Sequence, residues 1–117
     1  MVLQVPASQF ARWCDSVSTP GDTPVKPLLL DVREPWELQT ACVREDGFEL
    51  LRIPMRDVPA RLAELDPARP IACLCHHGMR SLQVANYLAQ SGFTEVVNLQ
   101  GGINAWSQDI DPSVPCY

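Results

Sequence analysis

Leu28-Leu29-Leu30 and Ile71-Ala-Cys-Leu-Cys75 are apolar at every position. Runs this short, without polar alternation, mark strands buried on both faces, and a sheet covered on both faces is almost always parallel. Parallel neighbours need crossovers of about a dozen residues, usually helical, and the intervening sequence supplies them. Ala7 to Ser18 places Phe10, Ala11, Trp13, Cys14 and Val17 at helical spacing, and the breaker cluster Thr19 to Pro27 ends it. A short helix is expected from Pro35 to about Cys42, then the polar stretch Arg44 to Gly47 and a strand from Leu50 to Ile53, stopped by Pro54. Val58 to Leu65 has a helical pattern, closed by Asp66-Pro67 and Arg69-Pro70. After Cys75 a loop leads into a helix over Arg80 to Ser91, with Val84, Ala85, Leu88 and Ala89 on one face. Gly92 stands where a left-handed C-terminal cap belongs, with Phe93 as its hydrophobic contact. Val96 to Leu99 makes a fourth strand, Gly101-Gly102 breaks it, and Ile103 to Gln108 is a last helix before an irregular tail over 110–117. Alternating strands and helices predict an α/β fold with a mainly parallel sheet.

A chain of 117 residues fits one domain, 1–117, with its core at about 28–106. With 46% apolar residues it can bury roughly two-thirds of its unfolded surface without a metal or disulfide staple. Five cysteines, an odd number with no C-x-x-C pair, argue against a disulfide scaffold. Cys73-x-Cys75-His76-His77 gathers four soft ligands, but zinc sites use C-x2–4-C with a distant second pair, so no metal and no cofactor are expected. The net charge of −5 argues against nucleic acid or an anionic membrane as partner. No run reaches the roughly 18 apolar residues of a membrane span, and the first residues lack the charged and apolar regions of a leader. A cytoplasmic protein is the expectation.

The chemistry concentrates in Cys75-His76-His77-Gly78-Met79-Arg80-Ser81, between a buried strand and a helix, where α/β folds hold their ligands. A tight loop opening a helix turns backbone N–H groups inward, and the helix dipole adds positive potential. Such a place suits an anion and favours the thiolate, the nucleophilic form of cysteine. Gly78 allows the turn, Arg80 adds a permanent cation, and Ser81 supplies a hydroxyl to the loop or the helix. Buried packing is the alternative for any cysteine. It fits Cys73, in mid-strand, better than Cys75, which is followed closely by a glycine and an arginine.

Cys75-x-x-Gly78-x-Arg80-Ser81 resembles the active-site loop of the rhodanese-like sulfurtransferases. Asp31-Val-Arg33-Glu34-Pro35-Trp36-Glu37 resembles the family's D-x-R-x-x-x-E segment. Gly92-Phe93 and Leu99-Gln-Gly101-Gly102-Ile103-Asn-Ala105-Trp106 resemble its closing motifs. The resemblance runs from about Leu28 to Ala105; the family's H-I-x-G-A segment has no counterpart in Thr40 to Phe48, which lacks the histidine. It implies a three-layer domain, a small parallel sheet of about five strands flanked by helices on both faces. It also implies sulfur transfer through a Cys75 persulfide, from a donor such as thiosulfate or a persulfide to a thiol or sulfur-carrier protein. The terminal sulfur would lie among the loop N–H groups of His76 to Ser81, Met79 included, with Arg80 stabilising the persulfide or orienting the donor. The related dual-specificity phosphatases use a loop one residue longer, so Cys75-x4-Arg80 favours sulfur over phosphate. A catalytically idle binding module and a small phosphatase or arsenate reductase are the other uses of such a loop. Asp31 and Arg33 are candidate supporting residues, with Glu37 as a partner for Arg33; more often such a trio simply ties a strand end to the next helix. The tryptophans are expected in the core, Cys14 and Cys42 as filler on helix faces, and Cys116 as a free terminal thiol.

Overall fold

Five parallel strands form one sheet in the order β1-β5-β4-β2-β3. They are β1 (Leu3–Pro6), β2 (Leu28–Asp31), β3 (Glu49–Arg52), β4 (Ile71–Leu74) and β5 (Val96–Gln100). The helices are α1 (Phe10–Val17), α2 (Pro35–Thr40), α3 (Met79–Gln90) and α4 (Gly102–Asp109). The computed structural model describes residues 2–17, 26–45 and 47–115. Ser18, the breaker cluster 19–25, Asp46 and the tail residues Cys116 and Tyr117 lie outside them.

β2 and β4 are buried along their whole length, as their unbroken apolar sequence requires. Alternate side chains serve two separate cores. Leu28, Leu30, Ile71, Cys73 and Cys75 face Val84, Ala85 and Leu88 of α3. Leu29, Ala72 and Leu74 face Phe10, Trp13 and Cys14 of α1 and Ile103 and Trp106 of α4. The sheet is therefore covered on both sides, giving the three layers expected. At the end of α3, Gly92 is left-handed (φ +98°) and the Phe93 N–H returns to the Leu88 carbonyl at 3.1 Å.

The structure departs from the sequence expectations in three places. β1 is an additional strand at the sheet edge, paired with β5 in the register Leu3↔Val97. Its pattern is weak because Leu3 and Gln4 are exposed and Pro6 closes it. Val58 to Leu65 is not one helix: one 3-10 turn, Met55–Asp57, ends just before it and a second, Leu62–Glu64, lies within it. Pro59 has no N–H with which to prolong the first turn, and its ring would clash with the Met55 carbonyl in a continuous helix. Cys42 follows the end of α2 instead of lying on a helix face.

Candidate active site

Cys75 is the first residue beyond β4, at the carboxyl edge of the sheet and directly before the turn into α3. Gly78 closes that turn with φ +105° and caps α3. A Cβ there would stand 3.3 Å from the Gly101 nitrogen, so the position needs glycine for both conformation and space. The turn brings the Gly78 N–H to Cys75 Sγ, to which it donates at 3.0 Å. The positive end of α3 lies behind it. Cys75 is 1% exposed. The His76 and His77 rings stack with centroids 3.9 Å apart, His76 half-buried and His77 exposed at the rim. Met79 is 74% exposed and Trp36, on α2, 62%; Trp36 is thus not a core residue, whereas Trp13 and Trp106 are.

The other side of the loop rests on α4. The Ile103 and Asn104 N–H groups donate to the Cys75 and His76 carbonyls at 2.9 and 3.2 Å. The first-turn amides of a helix have no partner within it, and here they hold the loop carbonyls outward. Gly102 makes the approach possible: at φ +59° a Cβ on it would lie 2.4 Å from both carbonyl oxygens. Sequence reasoning treats Gly101-Gly102 only as a strand breaker. Two adjacent glycines after a buried strand are the signal of a close backbone approach.

A chain of charges links three elements. Asp31 and Arg33 form a fully buried pair, with Nε–Oδ1 at 2.9 Å and Nη2–Oδ2 at 2.7 Å. Arg33 also donates to the Glu37 main-chain carbonyl at 3.3 Å. The Glu37 carboxylate takes Arg80 in both hands, at 2.6 and 2.8 Å. It also accepts the Glu34 N–H at 3.0 Å, as the N3 member of a capping box on α2. The strand end is thereby tied to α2, and α2 to the first turn of α3.

Ser81 is fully buried, its Oγ 3.4 Å from Cys75 Sγ and 2.5 Å from Asn98 Oδ1. Asn98 Nδ2 donates to the Gly78 carbonyl and to Gln4 Oε1, each at 3.0 Å. Asn98 and Gln4 do not emerge from sequence reasoning. The available signal is a polar residue inside the strand Val96-Val97-Asn98-Leu99, because a buried carboxamide needs partners.

The remaining cysteines contrast with Cys75. Burial, and then the nearby charge of Asp15, push the Cys14 thiol up to about 11. Burial, with Cys75 beside it, also pushes Cys73 up. Both are core cysteines, as expected. Cys42 is half-buried and receives Arg52 Nη2 at 2.9 Å.

A profile of the rhodanese-like domain matches residues 18–109. The chain belongs to the rhodanese-like family. It is 37% identical over 81 residues to a sulfurtransferase of Allochromatium vinosum, covering 69% of this chain and 72% of that protein. It is 42% identical over 93 residues to the Rhodanese-like/PpiC domain-containing protein 12, chloroplastic, of Arabidopsis thaliana, covering 76% of this chain but only 30% of that longer protein. The rhodanese fold is equally clear in three dimensions. The structure of a rhodanese-like domain protein from Staphylococcus aureus superposes with a TM-score of 0.73 at 21% identity, covering 99% of both chains. Rhodanese-type sulfur transfer is the class of activity that this family membership and the sulfurtransferase relative support. Among the described residues, no helix is long and apolar enough to cross a membrane.

Proposed function

We propose that this rhodanese-like domain carries sulfane sulfur as a persulfide on Cys75, taking it from thiosulfate or another persulfide and giving it to a thiophilic acceptor. The observation that carries the reading is the position of Cys75 Sγ, at the start of α3 with the Gly78 N–H donating to it. A sulfur anion there meets a fixed donor and the helix dipole without solvent reorganisation.

With thiosulfate as donor, the Cys75 thiolate attacks the outer sulfur. A new S–S bond forms, the donor's S–S bond breaks, and its electron pair leaves with sulfite. The persulfide anion remains on Cys75. An acceptor thiolate then attacks the outer sulfur, departs as a persulfide and restores the Cys75 thiolate. Cys75 is nearly inaccessible, and the persulfide moves the reactive atom outward by about 2 Å, one S–S bond length. The loop from His76 to Ser81 forms the bed of that outer sulfur. Arg80, held by Glu37, supplies the cation that attracts an anionic donor, and Asp31 and Arg33 support it through α2. The acceptor is a thiol or a sulfur-carrier protein, and the cytoplasm, where thiols stay reduced, is the fitting compartment.

The test is an intact mass spectrum of the chain after brief incubation with thiosulfate and removal of the excess. The expected result is a gain of one sulfur, reversed by dithiothreitol and absent in Cys75→Ser. A gain from a persulfidated cysteine desulfurase but not from thiosulfate would identify a protein persulfide as the donor. A folded chain that gains sulfur from neither would overturn the proposal in favour of a binding module.

A further inference from the structure

The polar atoms around Cys75 Sγ can be assigned without seeing a hydrogen. The Gly78 carbonyl only accepts, so the Asn98 side-chain atom 3.0 Å from it is the nitrogen. Asn98 Oδ1 therefore faces Ser81 Oγ and, being an acceptor, requires the Ser81 hydroxyl to donate to it. A serine hydroxyl has one proton. With that proton on Asn98, Ser81 presents lone pairs to Cys75 Sγ at 3.4 Å. A thiol fits this site: its S–H donates to Ser81 Oγ while its sulfur accepts from Gly78. A thiolate keeps the Gly78 donor and gains a second one only when Ser81 turns.

We propose that the Asn98 carboxamide is a positioning group that holds the Ser81 hydroxyl proton away from Cys75 Sγ, and that ionisation of Cys75 draws that proton across. The thiol proton leaves Sγ for solvent. The Ser81 proton stays covalently on Oγ and changes only its acceptor, from Asn98 Oδ1 to the sulfur anion. Asn98 Oδ1 is then buried without that partner, and this restores the resting arrangement when the thiol reforms. On the persulfide reading above, the same turned hydroxyl faces the loaded sulfur, so Ser81 reports the state of Cys75 to β5 and, through Gln4, to β1. The charged and titratable groups around the sulfur are His76 and His77 on the loop, Arg80 on α3 with Glu37 of α2 behind it, the Asp31–Arg33 pair at the end of β2, and Cys73 on β4. β5 and α4 bring the uncharged Asn98, Gly101 and Gly102. All the charged groups persist in the variants below, so differences among those variants do not originate in them.

The experiment is the pH profile of Cys75 alkylation by iodoacetamide in the full chain, for the wild type, Asn98→Ala, Ser81→Ala and the double variant. Freed from Asn98, the Ser81 hydroxyl donates to the thiolate, so the midpoint in Asn98→Ala should fall by about one pH unit, with alkylation about tenfold faster well below it. On the Ser81→Ala background the Asn98 substitution should lose that downward shift, leaving only the smaller effect of the missing Asn98–Gly78 bond. An equal shift without the serine, or no shift with it, would overturn the proposal. A readout on the wild type covers the case in which Asn98→Ala does not fold. The Asn98 side-chain amide NMR signals should titrate with the alkylation midpoint in the wild type and lose that titration in Ser81→Ala; wild-type signals indifferent to Cys75 ionisation would also overturn it. Neither readout uses a sulfur donor, so both stand if sulfur loading fails, and loading stands if both of them fail.

Discussion

At the scale of single residues the site is defined by where a side chain cannot be. Gly102 sits at φ +59°, and an added Cβ would enter the carbonyls of Cys75 and His76 at 2.4 Å, which are backbone atoms of the Cys75 loop. Gly102→Ala combines left-handed strain with overpacking and is expected to cost about 2–5 kcal/mol. Because the displaced atoms belong to the loop, sulfur loading should fall further than the unfolding midpoint implies. Gly47→Ala, also at positive φ but in open space, should show only the strain, about 1 kcal/mol. Thermal unfolding and sulfur uptake, measured together on both variants, check this. The cysteines make a second prediction. Cys14 is held in its protonated form up to about pH 11, so at pH 8 only about one molecule in a thousand carries its thiolate. Burial holds Cys73 up as well. Iodoacetamide at pH 8 should leave both unlabelled in the folded chain, and labelling of Cys14 should rise only as the pH climbs toward 11. Peptide mass mapping reads it, and rapid labelling of Cys14 at pH 8 would contradict the buried packing described above. The placing of Cys75 and Gly78 in one turn was legible in the sequence because a cysteine and a glycine between a buried strand and a helix are conspicuous. Asn98 was not, since its role depends on a partner seventeen residues away along the chain, the hydroxyl of Ser81.

Among elements, the short helix α2 does more than cross between strands. Its Glu37 joins the buried Asp31–Arg33 pair, through the main chain, to Arg80 at the head of α3. The sequence suggested an Arg33–Glu37 pair because the two are one helical turn apart. Spatially, Arg33 holds the neighbouring Asp31 with two of its nitrogens, and the Glu37 carboxylate reaches a residue forty-three positions onward. Glu37→Gln should weaken an ion pair whose carboxylate is buried and whose guanidinium is 34% exposed, at a cost of about 1–2 kcal/mol because the amide still fills the site and accepts, yet it loosens the guanidinium of Arg80. Asp31→Ala removes the carboxylate that Arg33 Nε and Nη2 address inside the core, a loss of about 3–5 kcal/mol. The expected contrast is a large drop in the urea midpoint for Asp31→Ala, and for Glu37→Gln a small drop with clearly slower sulfur uptake. Equal effects of the two variants on uptake, after correction for stability, would remove α2 from the site. The same scale explains the misread stretch from Val58 to Leu65. Its apolar spacing is helical, but Pro59 interrupts the hydrogen bonds, so burial of Val58 and Leu65 is achieved from 3-10 turns.

For the whole molecule, the two buried strands were enough to give the architecture away, because only a parallel sheet covered on both faces hides β2 and β4 completely. The edges were harder to read. β1 and β3 are half in water, so their composition carries less of the pattern. The family match begins at residue 18, which leaves β1 and α1 outside it, and the structure argues that the matched segment is not a folding unit by itself. Val5, Phe10 and Trp13 sit in the core beneath Trp106 and Phe48, with Phe10 5.4 Å and 5.3 Å from those rings. Removing these three side chains forfeits about 5–9 kcal/mol of apolar burial, before counting the ladder that β1 makes with β5. A domain of this size is stable by about 5–15 kcal/mol in all. A chain trimmed to residues 18–117 is therefore expected to lose its cooperative unfolding transition, exposing the flank of β5 and stripping Asn98 of Gln4. Leu3→Lys, on a side chain that is 66% exposed, should change stability by no more than about 0.5 kcal/mol. Urea unfolding followed by circular dichroism separates the cases. If 18–117 unfolds cooperatively with a midpoint near that of the full chain and still gains sulfur, then β1 and α1 are an appendage, and α3, β5 and α4 hold the Cys75 loop without them.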